Sequence, residues 1–259
     1  MKVKIKGVAY IDDLRNTMNK DGKWIKPHLL YRSSNLSKIT DKGQLLHDKY
    51  HVCYVFDLRT DAEQEDKPEP LIDKIKYFHT PMADNYENPI ITKENRLRIL
   101  KDLSKREGGS KEYMRQFYPL MITSPRAIEV YKLFFKTLLE AKDDEAILFH
   151  CTQGKDRTGV LLMLLLSALN VHEQVIINKY MEYNIINMRF RTSVKFAMSL
   201  FKSPRLAVQL DHVLSARLSY IKSAIGEIKN KYRNVNNYLA NVIGLSDNDI
   251  ELLRKKYLR

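Results

Sequence analysis

The segment His150-Cys151-Thr152-Gln153-Gly154-Lys155-Asp156-Arg157-Thr158-Gly159 holds the residue types and spacing in this chain that could do chemistry. It lies between a β-rich run and an apolar helical run. A tight turn in that position can aim its backbone N–H groups at one point, with a helix N-terminus behind them, which suits a phosphate. Gly154 permits a turn that a side chain would block. Thr152, Gln153, Gly154 and Lys155 would form the cradle. Arg157, six residues after Cys151, can return over it and grip two phosphate oxygens with its planar fork. Loop amides, helix terminus and Arg157 all favour a thiolate at Cys151, and a thiolate facing phosphorus is a nucleophile. Thr158 can donate its hydroxyl to the sulfur, and His150 is placed to order the loop through hydrogen bonds. A cysteine at a strand end is more often a small buried hydrophobe. It is the joint pattern H-C-x5-R-[ST]-G, in strand–loop–helix context, that points to catalysis. The segment is not a Walker A loop, because Lys155 is followed by Asp156 rather than Ser or Thr.

Expelling a phenolate at neutral pH needs a proton donor. Three carboxyl groups are placed for it: Asp156, Asp84 in Pro81-Met82-Ala83-Asp84, and Asp57. Asp84 follows a strand end, as an acid on a separate loop would. Asp156 flanks two basic residues, which favour its ionised form and weigh against it as an acid. The residues themselves leave the choice open.

The elements that must position these groups are legible in part. Leu29 to Tyr31 reads as a strand ending at Arg32-Ser33. Val52 to Phe56 is continuously apolar and β-rich, as in a strand covered on both faces, and ends at Asp57. Ile75 to His79 is a weaker strand, and Ala146 to Phe149 a strong one. Thr40 to Tyr50 suggests a short helix. Ser124-Pro125 starts another, with Ser as cap and Ala127, Tyr131, Phe134 and Leu138 on one apolar face. Thr158 to Leu169 is apolar nearly all round and therefore central. The remainder to Arg259 is mostly helical, with a capping box at Ser246 to Asp249 before the last helix. Strands interleaved with helices predict an α/β fold with a central, mainly parallel sheet flanked by helices. Sites in such sheets sit at the carboxyl ends of the strands, which points to Asp57 and to His150-Cys151. Residues 84–123 are polar and irregular, with Gly108-Gly109 between two helical stretches, and read as a lid or insertion. Residues 1–259 are expected to form a single domain around the 146–169 strand–loop–helix core.

Composition bounds the function. The 259 residues are 44% hydrophobic and 29% charged, with a net charge of +13, which excludes a disordered or low-complexity chain and suits anionic partners. The longest apolar stretch, Val160 to Leu169, is too short to span a membrane. The N-terminus carries no long apolar signal segment, so a cytoplasmic location is the default expectation, with leaderless export as the alternative. Cys53 and Cys151 cannot build a disulfide framework. Cys53 is expected to be buried on a strand next to that of Cys151, a protective disulfide under oxidation being the other reading. His172-Glu173 lacks a second histidine at zinc-protease spacing, and no metal or other cofactor is expected.

The sequence HCTQGKDRTG resembles the phosphate loop of cysteine-dependent tyrosine and dual-specificity phosphatases, in the bacterial branch with a Lys-Asp-Arg loop. The similarity spans nearly the whole chain: Tyr10 to Asn35, Phe56-Asp57-Leu58-Arg59-Thr60 with Glu63, Tyr131 to Asn184, and the ending from Tyr238 through Leu252-Leu253-Arg254. It departs at Asn16-Thr17-Met18, where the family often has a glycine pair. The resemblance implies a protein-tyrosine-phosphatase-like fold, with Cys151 as nucleophile, Arg157 as phosphate clamp and Asp156 as general acid and then base. Asp84 is held in reserve as the acid. It further implies that Lys155 adds positive charge at the pocket mouth and that Asp57 supports the loop. The expected activity is hydrolysis of phosphomonoesters through a cysteinyl-phosphate intermediate, on phosphotyrosine first, with phosphoserine, phosphothreonine and phosphoinositides as extensions. The partners are then a phosphorylated protein or phosphoinositide and, transiently, an anionic membrane, with no stable nucleic-acid partner. RNA 5′-phosphatase activity and a non-catalytic phosphate-binding module are the rival expectations.

Overall fold

The computed structural model describes residues 2–82, 93–188, 191–193 and 204–259. Among the described residues six strands form one sheet: β1 (Lys2–Val3), β2 (Ile11–Asp13), β3 (Leu30–Ser33), β4 (Val52–Asp57), β5 (Lys76–His79) and β6 (Ala146–His150). Their spatial order is β1-β2-β3-β6-β4-β5. The β3–β6, β6–β4 and β4–β5 pairings are parallel, and the two that attach β1 and β2 are antiparallel. The mainly parallel α/β sheet is therefore as expected, extended by two short strands at the N-terminal edge.

Register is what builds the site. Ser33 and Asp57 both lie opposite His150, so the carboxyl ends of β3, β6 and β4 finish level. Side chains alternate across this sheet as its pleat requires. Phe56, Ile147 and Phe149 enter the larger core, while Val52, Val55, Ala146 and Leu148 enter the smaller one beneath Ile39, Leu46 and Ile72. Both faces are thus apolar, which explains the uninterrupted hydrophobic runs of β4 and β6.

The helices over the larger face follow from their patterns. Helix α5 (Pro125–Glu140) buries Ala127, Tyr131, Phe134 and Leu138 completely. The Phe134 ring sits edge-on to Phe56 and Phe149, at 5.1 and 5.3 Å between centroids. Burying such a ring contributes about 2–3 kcal/mol. Ser124 stands at the predicted cap but makes no side-chain capping bond; its amide instead closes the preceding helix on Leu120. Helix α6 (Asp156–Ala168) starts one half-turn earlier than its apolar run suggests and is buried along nearly its whole length. The capping box of the final helix, Asp247–Tyr257, is formed by Ser246 and Asp249.

The described part of the 84–123 segment is helical on both sides of Gly108-Gly109, as expected of a helical insertion. Residues 83–92 lie outside the described residues, and then α3 (Lys93–Ser104) and α4 (Gly109–Thr123) follow, joined through Gly108 at φ 68°. Pro119 inside α4 masks it in the sequence, yet Met114, Phe117, Tyr118, Met121 and Ile122 form a regular buried face. Helix α4 packs against two C-terminal helices, Pro204–Leu214 and Leu218–Tyr232. No described helix is long and apolar enough to cross a membrane.

Candidate active site

Cys151 follows β6 directly, and the loop it opens is anchored from outside. The carbonyl of Thr152 accepts from the Asn35 backbone and side-chain amides, the latter at 2.7 Å. The carbonyl of Gly154 accepts from the Tyr10 hydroxyl at 2.7 Å and Arg32 Nε at 3.0 Å. Because a peptide unit is planar, each C=O and the N–H that follows it point opposite ways. Anchoring these two carbonyls therefore turns the N–H groups of Gln153 and Lys155 to the loop's inner side. Gly154 is required here: its φ is +64°, and a Cβ would lie 2.1 Å from the Tyr10 oxygen and 2.2 Å from the Ser33 carbonyl oxygen. No side chain caps α6 at Lys155, so the first-turn amides are available to an anion.

Arg157, buried in the first turn of α6, is held by Glu63. Its two terminal nitrogens meet the two Glu63 oxygens at 2.5 and 2.9 Å, and it also donates to the Leu58 carbonyl at 3.1 Å. Burial pushes the Glu63 carboxyl up, but Arg157, then the Thr152 hydroxyl and the Thr60 amide, outweigh it and bring it to about 2. Burial likewise opposes charge on Arg157, and Glu63 more than reverses that. Glu63 belongs to the capping box of the short helix α2 (Asp61–Asp66), with Thr60 as cap. The Thr152 hydroxyl donates to its other oxygen, which ties the cradle to the same carboxylate.

A second buried network supports the loop from β4. Asp57 accepts from Arg59 at 2.7 to 3.0 Å, Arg59 reaches Glu69 at 3.1 Å, and His150 Nε2 lies 3.2 Å from Glu69. Burial disfavours charge on His150, yet Glu69 and Asp57 raise it to about 9. Glu69 is pushed up by burial and pulled down further by His150 and Arg59, to about 2. Ligand atoms of Asp57, Glu69 and His150 lie within 4.8 Å of one another. Arg59 already engages both carboxylates, so a divalent cation would have to displace a guanidinium there.

The pocket above the loop is lined by Cys151, Thr152, Gln153, Asp156 and Arg157. Asn35, Arg59, Glu63, Asp66 and Lys67 stand on one side, and Met114, Phe117, Leu210, Val213 and Leu214 on the other. Asp156 is the first residue of α6 and receives the Tyr118 hydroxyl at 2.6 Å. Tyr183 donates to Gln153 at 2.8 Å.

Several expectations need restating against this geometry. Lys155 is not at the mouth: its Nζ is buried, bonds the carbonyls of Val213 and Ser215, and lies 3.3 Å from Asp156. Those carbonyls lie at the C-terminal end of the Pro204–Leu214 helix, where a cation is favoured. Thr158 is fully buried, and its hydroxyl meets no hydrogen-bond partner among the described residues, so a bond to the sulfur is not formed here. Asp84 lies outside the described residues. Cys53 and Cys151 are also kept apart. Cys53 falls at the bulge opposite Ala146 and Ile147, at the far end of β6. That separation is roughly 13 Å along the strands, about twice the Cα span a disulfide allows. Cys53 is half-buried rather than buried.

Sequence reading passed over Glu69, Tyr118 and Tyr180, and saw Glu63 without its partner. The Thr60-x-x-Glu63 capping signature marks where that carboxylate sits, but no local signal names Arg157 as the group it holds. The tyrosines are hidden among 15 of their kind.

Comparisons with known proteins give the family. A Cupriavidus necator protein provisionally named a tyrosine-protein phosphatase is 25% identical over 95% of this chain and 84% of its own length. The triple specificity protein phosphatase PtpB of Mycobacterium tuberculosis is 28% identical over 89% of this chain and 91% of its own. A tyrosine-protein phosphatase of Nostoc commune is 26% identical over 58% of this chain and 46% of its own. The model of the tyrosine phosphatase family matches residues 3–259. With that match running almost end to end, the chain belongs to the tyrosine phosphatase family and is a protein-tyrosine phosphatase.

Proposed function

We propose that this enzyme hydrolyses phosphomonoesters through a cysteinyl-phosphate intermediate, with phosphotyrosine as its first substrate. The observation that carries the reading is the convergence of Cys151, Asp156 and Arg157 on one pocket floor beneath an apolar wall. The phosphate rests on the 151–157 loop, against its amides and the Arg157 guanidinium. The Cys151 thiolate attacks phosphorus as the bond to the ester oxygen breaks, and Asp156 gives that oxygen its proton. A water then attacks phosphorus, Asp156 takes the water's proton, and the sulfur leaves as thiolate. Stabilisation of the transferring group is electrostatic, from donors fixed before the substrate arrives.

The wall of Met114, Phe117, Leu210, Val213 and Leu214 supports the aryl preference, because it offers a flat apolar group burial that a short alkyl phosphate cannot use. The net charge of +13 motivates extending the reading to phosphoserine, phosphothreonine and phosphoinositides, and similarity to a phosphatase named for triple specificity supports a range wider than phosphotyrosine. Asp57 and His150 act through the loop they support. Lys155 fastens it to the helix end at Val213 and Ser215 rather than meeting substrate. We infer that 1–259 works as one phosphatase domain, with α4 as a wall of its pocket.

The test is a substrate panel on native and Cys151→Ser protein: phosphotyrosine, phosphoserine and phosphothreonine peptides, a phosphoinositide, and 5′-triphosphate RNA. Phosphotyrosine should be fastest, with the serine variant inactive but still binding phosphate. Appreciable turnover by Cys151→Ser would remove the nucleophile. RNA as the fastest substrate would replace the protein-directed reading.

A further inference from the structure

We propose that Tyr118 and Tyr180 position Asp156 for proton transfer, through a one-way chain of hydrogen bonds that ends on its Oδ1. The proposal rests on the reading of Asp156 as the general acid. Tyr118 is completely buried on α4, and Tyr180 completely buried on α7 (Glu173–Met181). Their hydroxyl oxygens are 2.7 Å apart, and the Tyr118 oxygen is 2.6 Å from Asp156 Oδ1. A hydroxyl has one proton to give. Tyr118 gives its proton to the carboxylate, so the proton between the two tyrosines is that of Tyr180. Every donor in the chain therefore points toward Asp156.

The contacts fall on one oxygen. Tyr118 and the Lys155 ammonium, the latter at 3.3 Å, both address Oδ1. A carboxyl group engaged on Oδ1 presents Oδ2 as the oxygen that carries the proton, and Asp156 is about a quarter exposed where it lines the pocket. The groups facing Asp156 are Tyr118 from α4, Tyr180 from α7, Tyr183, Tyr220, Lys155 and Arg157. Burial raises the Tyr118 and Tyr180 phenols above their ordinary range, so both stay protonated donors throughout the cycle. A positioning group of this kind must direct the acid without fixing its charge, and a neutral hydroxyl does that.

Both rings also pack in the core; the Tyr118 centroid lies 6.2 Å from that of Tyr180 and 5.7 Å from that of Tyr220. Tyr118→Phe keeps the ring and removes only the hydroxyl. The experiment compares a phosphotyrosine peptide, whose leaving group needs the proton, with p-nitrophenyl phosphate, whose leaving group barely does. Tyr118→Phe should lower kcat about tenfold on the peptide and about twofold or less on the activated ester, with KM unchanged. Tyr180→Phe, one bond further away, should show the same discrimination at about threefold, and it carries the test if Tyr118→Phe does not fold by circular dichroism. Adding Tyr118→Phe to Asp156→Asn should cost nothing more. Equal slowing of both substrates by the tyrosine variants, with Asp156→Asn discriminating between them, would overturn this proposal alone. Absence of discrimination in Asp156→Asn itself would overturn the acid assignment and the proposal with it.

Discussion

Asp156 and Arg157 are neighbours in sequence and face the same pocket, yet the molecule holds them by different chemistries. Arg157 is gripped by a carboxylate, Glu63, on two nitrogens at once. Asp156 is addressed by neutral phenols in series, with a lysine beside them whose charge burial disfavours. In the proposed mechanism Arg157 must be cationic at every step, and the buried Glu63 carboxylate favours that. In the same mechanism the acid gives up and regains a proton in each turnover; the counter-charge beside it, Lys155 at 3.3 Å, is disfavoured by its own burial and so is weaker than the charge Glu63 sets against Arg157. Hydrogen bonds to a neutral donor set its direction at a smaller bias. The difference also has a geometric side: the clamp is supported from the strand side, through Thr60 and α2, and the acid from the helical side, through α4 and α7.

The largest effect should come from the clamp itself. Arg157→Ala should lower kcat/KM by about a thousandfold, because a bidentate donor to the transferring phosphate is lost in a water-poor site. The loss should be equal for phosphotyrosine peptide and p-nitrophenyl phosphate, since the phosphoryl group is common to both. An unchanged rate would end the clamp assignment.

Glu63→Gln comes next. It leaves a guanidinium buried with its ion-pair partner neutralised, so stability should fall by about 3 kcal/mol and kcat/KM by about 10–100-fold. Here too the two substrates should suffer alike, in contrast to the leaving-group dependence expected of Tyr118→Phe. Chemical denaturation with parallel steady-state kinetics on both substrates checks it. A Glu63 variant that discriminated between leaving groups would blur the two walls into one.

The pH dependence of stability should separate the charged networks as well. Glu63 falls from an ordinary 4.5 to about 2 in the folded protein. Its stabilisation is therefore complete above pH 4.5 and is lost as pH falls through about 2, on the order of 3 kcal/mol. The Tm gap between native protein and Glu63→Gln should close across that window. His150 has the opposite sign: raised from 6.5 to about 9, it stabilises fully below pH 6.5 and ceases to as pH rises through 9. In Glu69→Gln, which removes the largest charge favouring the imidazolium, the alkaline decline should still begin near pH 6.5 but be smaller and end at lower pH. A gap that instead widened in acid would contradict the Glu63–Arg157 pair.

Much of the strand side could be read from the chain before any coordinates. The apolar runs of β4 and β6, the glycine at 154 and the all-round apolar α6 each carry a local pattern that has one good structural solution. The helical side could not. Tyr118 belongs to a helix broken in appearance by Pro119, and its partner Tyr180 lies 62 residues away. Two hydroxyls meeting across such a distance leave no periodicity or spacing behind. Lys155 was misplaced for a related reason: its sequence position fixes its backbone in the loop, whereas the carbonyls of Val213 and Ser215 decide which way its side chain turns. The two N-terminal strands β1 and β2, of two and three residues, are too short to show an alternation.

The smallest effect marks the outer limit of both walls. Cys53 shares β4 with Asp57 but sits at its other end, half-buried, with its thiol toward the His51 carbonyl. Its thiol is raised by burial and by Glu145 and Asp144, so it is a weak nucleophile and a slow target for oxidants. Cys53→Ala should therefore leave kcat/KM within about twofold and should not alter the rate of inactivation by peroxide or its recovery on adding a thiol. The measurement is a peroxide time course on native and variant protein, with mass analysis for an intramolecular disulfide. A Cys53–Cys151 bond would require β4 and β6 to slip by several residues, and the level strand ends that bring Asp57 and Ser33 beside His150 would then be lost along with both walls.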